Sequence, residues 1–302
     1  MKALILADRL GEELWPLTEK RPVCMLPVAN KPILQLVVEE LFLLGIREAA
    51  IIVADHEELI RTYFGSGGAT GMALEYHRVA APCSVEYGLE LAEIRRGESW
   101  IAVRGDILRP CGFLEEAMSR GLRAASSSIF TAMGIALPGR RGEPLRDIRW
   151  AALRGLETID PLSLESIAAY HRCNMLALED ELPDFIHSGR PTERHVAINQ
   201  QSVVRAPFLD RRTVIGRHCL VERNVILGQG SVVGDGCIVD HGAAIFESVI
   251  LPGSYVGAMD VEHSVVDGSR IYCCRSGAIT DLSGSSLAGL NVQHPHAEFS
   301  MA

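Results

Sequence analysis

Over the first two-thirds of the chain, short apolar runs alternate with amphipathic stretches. Ala3-Leu4-Ile5-Leu6-Ala7 is apolar at every position, the pattern of a strand covered on both faces. From Pro32 to Leu44 the spacing predicts a helix with Ile33, Leu34, Leu36, Val37 and Leu41 on one side and Pro32 at its start. Ala50-Ile51-Ile52-Val53-Ala54 predicts a second buried strand, followed by a helix through Phe64, a turn at Gly65-Ser66-Gly67-Gly68 and a strand from Ala73 to His77. A helix is expected over Val85 to Ile94, a strand over Trp100 to Val103 ending at Gly105-Asp106, and a helix over Phe113 to Arg123. Leu164 to Leu182 reads as a helix with Ile167, Tyr170, Met175 and Leu178 inward, within a linker spanning 162–207. This order implies an α/β, Rossmann-like domain with a mostly parallel sheet over residues 1–200. Ligands of such sheets bind beyond the carboxyl ends of the strands, here Asp8 to Thr18, Pro82 to Glu86, and Gly105-Asp106.

After residue 208 the period changes. Leu209, Ile215, Val221, Leu227, Val233, Val239, Ile245 and Leu251 recur every six residues, and Thr213, Cys219, Val225, Ser231, Cys237, Ala243 and Val249 lie four places after an aliphatic. Neither a helix nor an alternating strand has this period; a solenoid that stacks one apolar residue per unit does. The pattern resembles the hexapeptide repeat of left-handed β-helices and assigns residues 208–290 to one, with 291–302 as a tail. The period slips after Leu251 and restarts at Val261, which marks Val256 to Asp260 as an inserted loop or a turn correction. Cys219 and Cys237, three hexapeptides apart, are expected to stack as reduced core residues.

Composition narrows the function. Twenty-nine basic against 38 acidic residues give a net charge of −9, which argues against a nucleic-acid partner. There is no apolar run long enough for a membrane span, and Asp8 and Arg9 interrupt the first one, so a cytoplasmic protein is expected. The eight cysteines form no CxxC pair, and neither the histidines nor His294-Pro295-His296 read as a metal site. Lysine occurs only at Lys2, Lys20 and Lys31, so chemistry that needs a later lysine is closed to this chain.

The opening segment, with Lys2 to Ala7, Leu10-Gly11, Leu14, Pro16-Leu17-Thr18, Arg21-Pro22, Leu26-Pro27-Val28 and Lys31-Pro32-Ile33, resembles the sugar-phosphate nucleotidyltransferases, the pyrophosphorylases that make nucleotide sugars. The likeness continues through Tyr63-Phe64-Gly65, Glu75-Tyr76 and Gly105-Asp106, and many members carry a left-handed β-helix behind the catalytic domain. The resemblance implies attack of a sugar 1-phosphate on the α-phosphorus of a nucleoside triphosphate, with Mg2+ if the chain is active. It implies nucleotide or sugar contacts at Leu6, Ala7, Gly11, Lys31, Pro82 and Gly105, and a metal carboxylate at Asp106. A second carboxylate has only Asp147 and Asp160 as candidates.

The departures fall where the family's chemistry resides. The glycine-rich loop and its arginine become Asp8-Arg9-Leu10-Gly11-Glu12-Glu13, and the family's Arg-Pro-Lys-Pro becomes Arg21-Pro22-Val23-Cys24. Glu13 and Val23 thus replace two catalytic cations, and Glu86 and Tyr87 stand where the family surrounds base and sugar. A unit charge at 4 Å is worth about 4 kcal/mol at an effective dielectric of about 20, so reversing one sign opposes triphosphate binding strongly. The expected protein is a catalytically impaired, regulatory or partner-binding pseudo-enzyme of nucleotide-sugar metabolism. It would bind a nucleotide or nucleotide sugar and assemble as a homo-oligomer or with a paralogous nucleotidyltransferase subunit. One alternative is an active pyrophosphorylase in which Arg9, Arg21 or Arg104 supplies the lost charge; another is a hexapeptide-repeat acyltransferase using His218, His241 or His263.

Overall fold

The computed structural model describes residues 1–94, 99–109, 114–115, 135–136, 162–178, 190–191, 196–199, 201–205 and 208–282. The predicted helix over Phe113 to Arg123, Asp147, Asp160 and the tail at 291–302 fall mostly or wholly outside them. The chain divides into two compact units, Met1–Ile186 and His187–Ala302.

In chain order the first unit contains β1 (Lys2–Ala7), β2 (Pro27–Val28), β3 (Lys31–Pro32), α1 (Ile33–Leu43), β4 (Glu48–Val53), α2 (Glu57–Phe64), β5 (Ala73–Arg78), α3 (Val85–Leu91) and β6 (Trp100–Arg104). There follow β7 (Ile107–Leu108), β8 (Ile135–Ala136), β9 (Leu162–Ser163) and α4 (Ile167–Leu178). The sheet order is β5-β4-β1-β6-β8, parallel except for β8. Alternate residues of the central β1 enter two different cores: Ala3, Ile5 and Ala7 join one with α1 and α2, and Leu4 and Leu6 the other with α3. The uninterrupted apolar run in the sequence is the signature of that two-sided burial. On α1 the buried face is Ile33, Leu34, Val37, Val38 and Leu41; Val38 takes the place expected of Leu36, which is only half-buried. On α4 the inward residues are Tyr170, His171, Cys173, Asn174, Ala177 and Leu178, whereas Ile167 and Met175 are half-buried.

The second unit is a β-helix of three stacked sheets. The first joins Val196–Ile198, Thr213–Ile215, Ser231–Val233, Ser248–Ile250 and Ser264–Asp267 in parallel; the other two run from Val203–Val204 to Tyr255–Val256 and from Phe208–Leu209 to Asp260–Glu262. Ile215, Val221, Leu227, Val233, Val239 and Ile245 are fully buried at the predicted interval. The eighth position differs, because Val233 pairs with Ile250 and not with Leu251. Pairing advances by eighteen residues from Val214 to Val232, seventeen from Ser231 to Ser248, and sixteen from Ala244 to Asp260. The slip is therefore a shortening and not an insertion; it begins one repeat earlier than the sequence suggests, and its second step falls within Val256 to Asp260, as a turn correction there requires. At the first short corner Phe246-Glu247 replaces Gly228-Gln229-Gly230, leaving Glu247 at φ 42 and its counterpart on the next coil, His263, at φ 44. His263 Nδ1 lies 2.8 Å from Glu247 Oε2, so the shortened corners are bridged by a side-chain contact.

Cys219 and Cys237 are buried free thiols whose Sγ atoms donate to the carbonyls of Gly234 (3.0 Å) and Leu251 (3.2 Å). Gly234 sits where the backbone of the next coil leaves no room: a Cβ there would lie 2.6 Å from Pro252 N and 2.7 Å from Ile250 O. Backbone cannot swing aside as a side chain can. Gly234→Ala is expected to destabilise the β-helix by about 1–3 kcal/mol, read as a lower urea midpoint for this unit.

Candidate functional site

Two strand ends build the site. Leu6 and Arg104 are paired across β1 and β6, and Gly105 N donates to Leu6 O at 2.8 Å, so the chain leaves both strands at one level and delivers Asp8 and Asp106 beyond them. Gly105 is held close, since a Cβ would stand 3.0 Å from both Ile5 Cγ2 and Leu34 Cδ1. Both carboxylates are out of solvent, Asp8 at 0% and Asp106 at 1% exposure.

Internal arginines hold them. Arg104 donates to Asp106 through Nε to Oδ1 (2.8 Å) and Nη2 to Oδ2 (3.0 Å), a bidentate fork, while its Nη1 lies 3.5 Å from Asp8 Oδ1. Arg9 Nη1 donates to Asp106 Oδ2 (3.2 Å); its Nη2 bonds the Leu164 carbonyl (2.6 Å) and pairs with Glu13 Oε1 (2.5 Å). Asp8 Oδ2 accepts the Cys83 N–H at 2.7 Å, and among the described residues Asp8 Oδ1 accepts no hydrogen bond. Burial opposes the charge on Arg104, but the hydrogen bonds and charge of Asp106, with Asp8 behind it, hold that guanidinium above its usual range. Burial and the Asp8 carboxylate push the Cys83 thiol up to about 11.

The loop between is packed with apolar side chains. Gly11 adopts φ 73, where an added Cβ would lie 2.3 Å from Val23 Cγ2 and 2.8 Å from Thr18 Cγ2. Val23 thus fills the space beside Gly11, and Leu14, Leu17, Val23 and Leu26 are all fully buried. Of the remaining sequence candidates, Leu6 and Ala7 are buried in the sheet, and Pro82 is exposed. Tyr87 is 49% exposed at the start of α3. Lys31 is 8% exposed, and its Nζ donates to Glu39 Oε2 at 2.8 Å. Of the repeat-domain histidines, His218 and His241 lie exposed on the coils, and His263 is in contact with Glu247 at the shortened corner.

The residues present do not fit a magnesium ion at Asp106. A divalent ion needs carboxylate oxygens facing it with room for water, and here both oxygens of Asp106 point at guanidinium nitrogens. Among the described residues no group of three or more His, Cys, Asp or Glu is placed to hold a metal.

Two features escaped the sequence reading. Asn174 is fully buried on α4, where its Oδ1 accepts the Ala29 N–H (2.9 Å) and its Nδ2 donates to Tyr170 O (3.1 Å). With the Tyr170 hydroxyl on Pro27 O (2.5 Å), it fastens the β2–β3 turn, whose Ala29 and Asn30 have φ 43 and 68. A polar residue four places after Tyr170 on an otherwise inward face was the available signal. The second feature is Glu40, which burial pushes up to about 6 although the buried Arg109 pulls it down. Because the folded value lies above the unfolded one of 4.5, the native state binds the extra proton. Its contribution is present below pH 4.5 and lost as pH rises through about 6, a loss of about 2 kcal/mol. Urea titrations across that window should show this fall in the wild type relative to Glu40→Gln.

Comparison with known proteins finds similarity in the N-terminal part of the chain. Residues 2–90 match the family model described as nucleotidyl transferase. A UTP–glucose-1-phosphate uridylyltransferase of Staphylococcus epidermidis is 35% identical over 94 residues, 31% of this chain and 33% of that protein. A glucose-1-phosphate thymidylyltransferase of Streptomyces griseus is 32% identical over 126 residues, 41% of this chain and 35% of the other. A uridylyltransferase of the same description from Mycoplasma pneumoniae is 44% identical over 63 residues, 21% of this chain and 22% of the relative. The chain thus spans about a third or less of the length of the curated relatives it matches. No described helix is long and apolar enough to cross a membrane. The similarity thus lies in the N-terminal part of the chain, where residues 2–90 match the nucleotidyl transferase model and the relatives carry the names of sugar-phosphate nucleotidyltransferases.

Proposed function

We propose that the N-terminal unit is a nucleotidyltransferase-like domain with little or no pyrophosphorylase turnover, and that the chain serves nucleotide-sugar supply in the cytoplasm by binding. Its ligand would be a nucleotide or nucleotide sugar, or a paralogous nucleotidyltransferase subunit, with the β-helix available for assembly. The observation that carries this reading is the engagement of both Asp106 oxygens by Arg104 and Arg9. Phosphoryl-type transfer depends on positioned cations that meet developing negative charge. Here two arginines of the site are committed to internal carboxylates, and Val23 occupies the place of a third cation. The rival reading, an active enzyme with arginines substituting for lost charges, requires both to leave Asp106.

The test is equilibrium binding of UTP, dTTP, GTP and the matching nucleotide sugars, each with and without magnesium, read by calorimetry. The reading expects nucleotide or nucleotide-sugar affinity to be unchanged by magnesium, or binding to be absent with a protein partner captured instead. Magnesium-dependent triphosphate binding in the micromolar range would contradict it.

A further inference from the structure

We propose that β5, the outer strand of the first sheet, pairs antiparallel with β5 of a second copy of this chain about a two-fold axis at Tyr76. This contact is independent of whether the site of Asp8 and Asp106 turns over substrate. β5 stands at one end of the order β5-β4-β1-β6-β8. Ala73 N donates to Arg47 O and Val79 N to Val53 O, so odd-numbered residues bond inward and even-numbered residues turn their backbone groups outward. Leu74 N is satisfied by Ser66 O at 3.1 Å. Among the described residues Tyr76 N and Arg78 N donate to nothing, and Tyr76 O meets only Arg61 Nη2, at 3.5 Å, the outer limit of a hydrogen bond. A strand edge in this state is a template for another strand.

The register follows from the same alternation. Residues with outward groups face one another and exchange bonds in an antiparallel pair. Tyr76 therefore faces Tyr76 of the second copy, Arg78 N–H meets Leu74 O, and Glu75 stands opposite His77 on the side of α3. Tyr76 is already fixed in place, its hydroxyl donating to Gly65 O at 2.7 Å and its ring centroid 4.6 Å from the Arg61 guanidinium. The charges suit the two-fold arrangement. Along β5 runs a groove of about 700 Å³ lined by Glu48, Glu75 and Glu93 together with Lys2, Arg61 and His77. Lys2 is paired with Glu75 at 2.8 Å and Arg61 with Glu57, so Glu48 and Glu93 give the groove an acidic balance that His77 of the second copy meets. On the side of α2, the stem of Arg78 lies across from Leu74 of the second copy, an apolar surface for it to cover. The order Glu75-Tyr76-His77 is its own complement when reversed, which selects a second copy over a foreign strand.

Sedimentation equilibrium of the full chain over about 1–100 μM tests the contact. The samples are the wild type, Glu75→Arg, His77→Glu, an equimolar mixture of those two variants, and Arg78→Pro. The wild type is expected to associate. Each charge variant places like charges across the strand pair and should weaken association at least about fivefold. In the mixture each variant finds the opposite charge on the other, and association should return to within about threefold of the wild type. Arg78→Pro removes an N–H that no described group accepts, at an outer-strand position where proline is tolerated. It should weaken association by about tenfold or more, by loss of both symmetry-related bonds, with the thermal midpoint unchanged. A wild type that stays monomeric at about 100 μM overturns the proposal. So does association that the charge variants or a folded Arg78→Pro leave intact, since the copies then meet elsewhere, and so does a mixture no tighter than its separate components. If Arg78→Pro does not fold, the charge variants and their mixture decide.

Discussion

Arg104→Met is expected to lower the stability of the N-terminal unit by about 3–5 kcal/mol, the cost of leaving a buried charge without its partner. Methionine keeps much of the side-chain volume, so the loss reports charge and hydrogen bonds more than a cavity. Arg104 has two hydrogen bonds to Asp106, at 2.8 and 3.0 Å, and the 3.5 Å approach to Asp8. Its side chain is only 20% exposed, so water screens these contacts weakly, and Asp8 and Asp106 are shut from solvent. Arg104→Lys should recover less than half of the loss, because one ammonium cannot make three directed contacts. Urea denaturation at neutral pH measures both; a loss under about 1 kcal/mol for Arg104→Met would place the pair among weak surface bridges and contradict the account.

The second large effect concerns restoring the family's cations. Glu13→Arg with Val23→Lys is expected to yield a markedly less stable protein without pyrophosphorylase activity. Val23 has 0% exposure and packs on Gly11, so a lysine there must either bury its ammonium or force the loop open, a cost of several kcal/mol. Glu13 is 38% exposed and pairs only at the surface with Arg9, so Glu13→Arg alone should change stability by no more than about 1 kcal/mol. The two substitutions therefore separate in a denaturation experiment, and most of the loss follows Val23→Lys. A stable double variant with robust pyrophosphate exchange would show an open pocket that lacked only two charges.

Periodic packing was legible in the sequence. The run from Ala3 to Ala7 announced a strand covered on both faces, and the six-residue interval announced the β-helix, because stacked coils admit one apolar residue per face. The slip at Leu251 was legible as an event but not in place. Leu251 is itself buried, so hydrophobicity could not distinguish it from Ile250, and the register moves first at the shortened corner at Glu247 and again between Val256 and Asp260. The candidate site was half legible. Glu13, Val23 and Asp106 stood out as departures or matches, yet the pairing of Arg104 with Asp106 depends on two side chains at i and i+2 turning to one side of a strand end. Arg9 reaches the same carboxylate from 97 residues away, a distance no local pattern encodes. Asn174 was signalled by its place on the inward face four residues after Tyr170, but its partner, the Ala29 N–H 145 residues earlier, is encoded by no local pattern.

The most direct test of the central claim is pyrophosphate exchange by the purified wild-type chain with magnesium and a panel of nucleotide sugars. With Asp106 held by Arg104 and Arg9, the account predicts no exchange above the uncatalysed background for any sugar. Turnover at ordinary enzyme rates, about 1–1,000 per second, would contradict it and require the two arginines to leave Asp106 when substrate arrives.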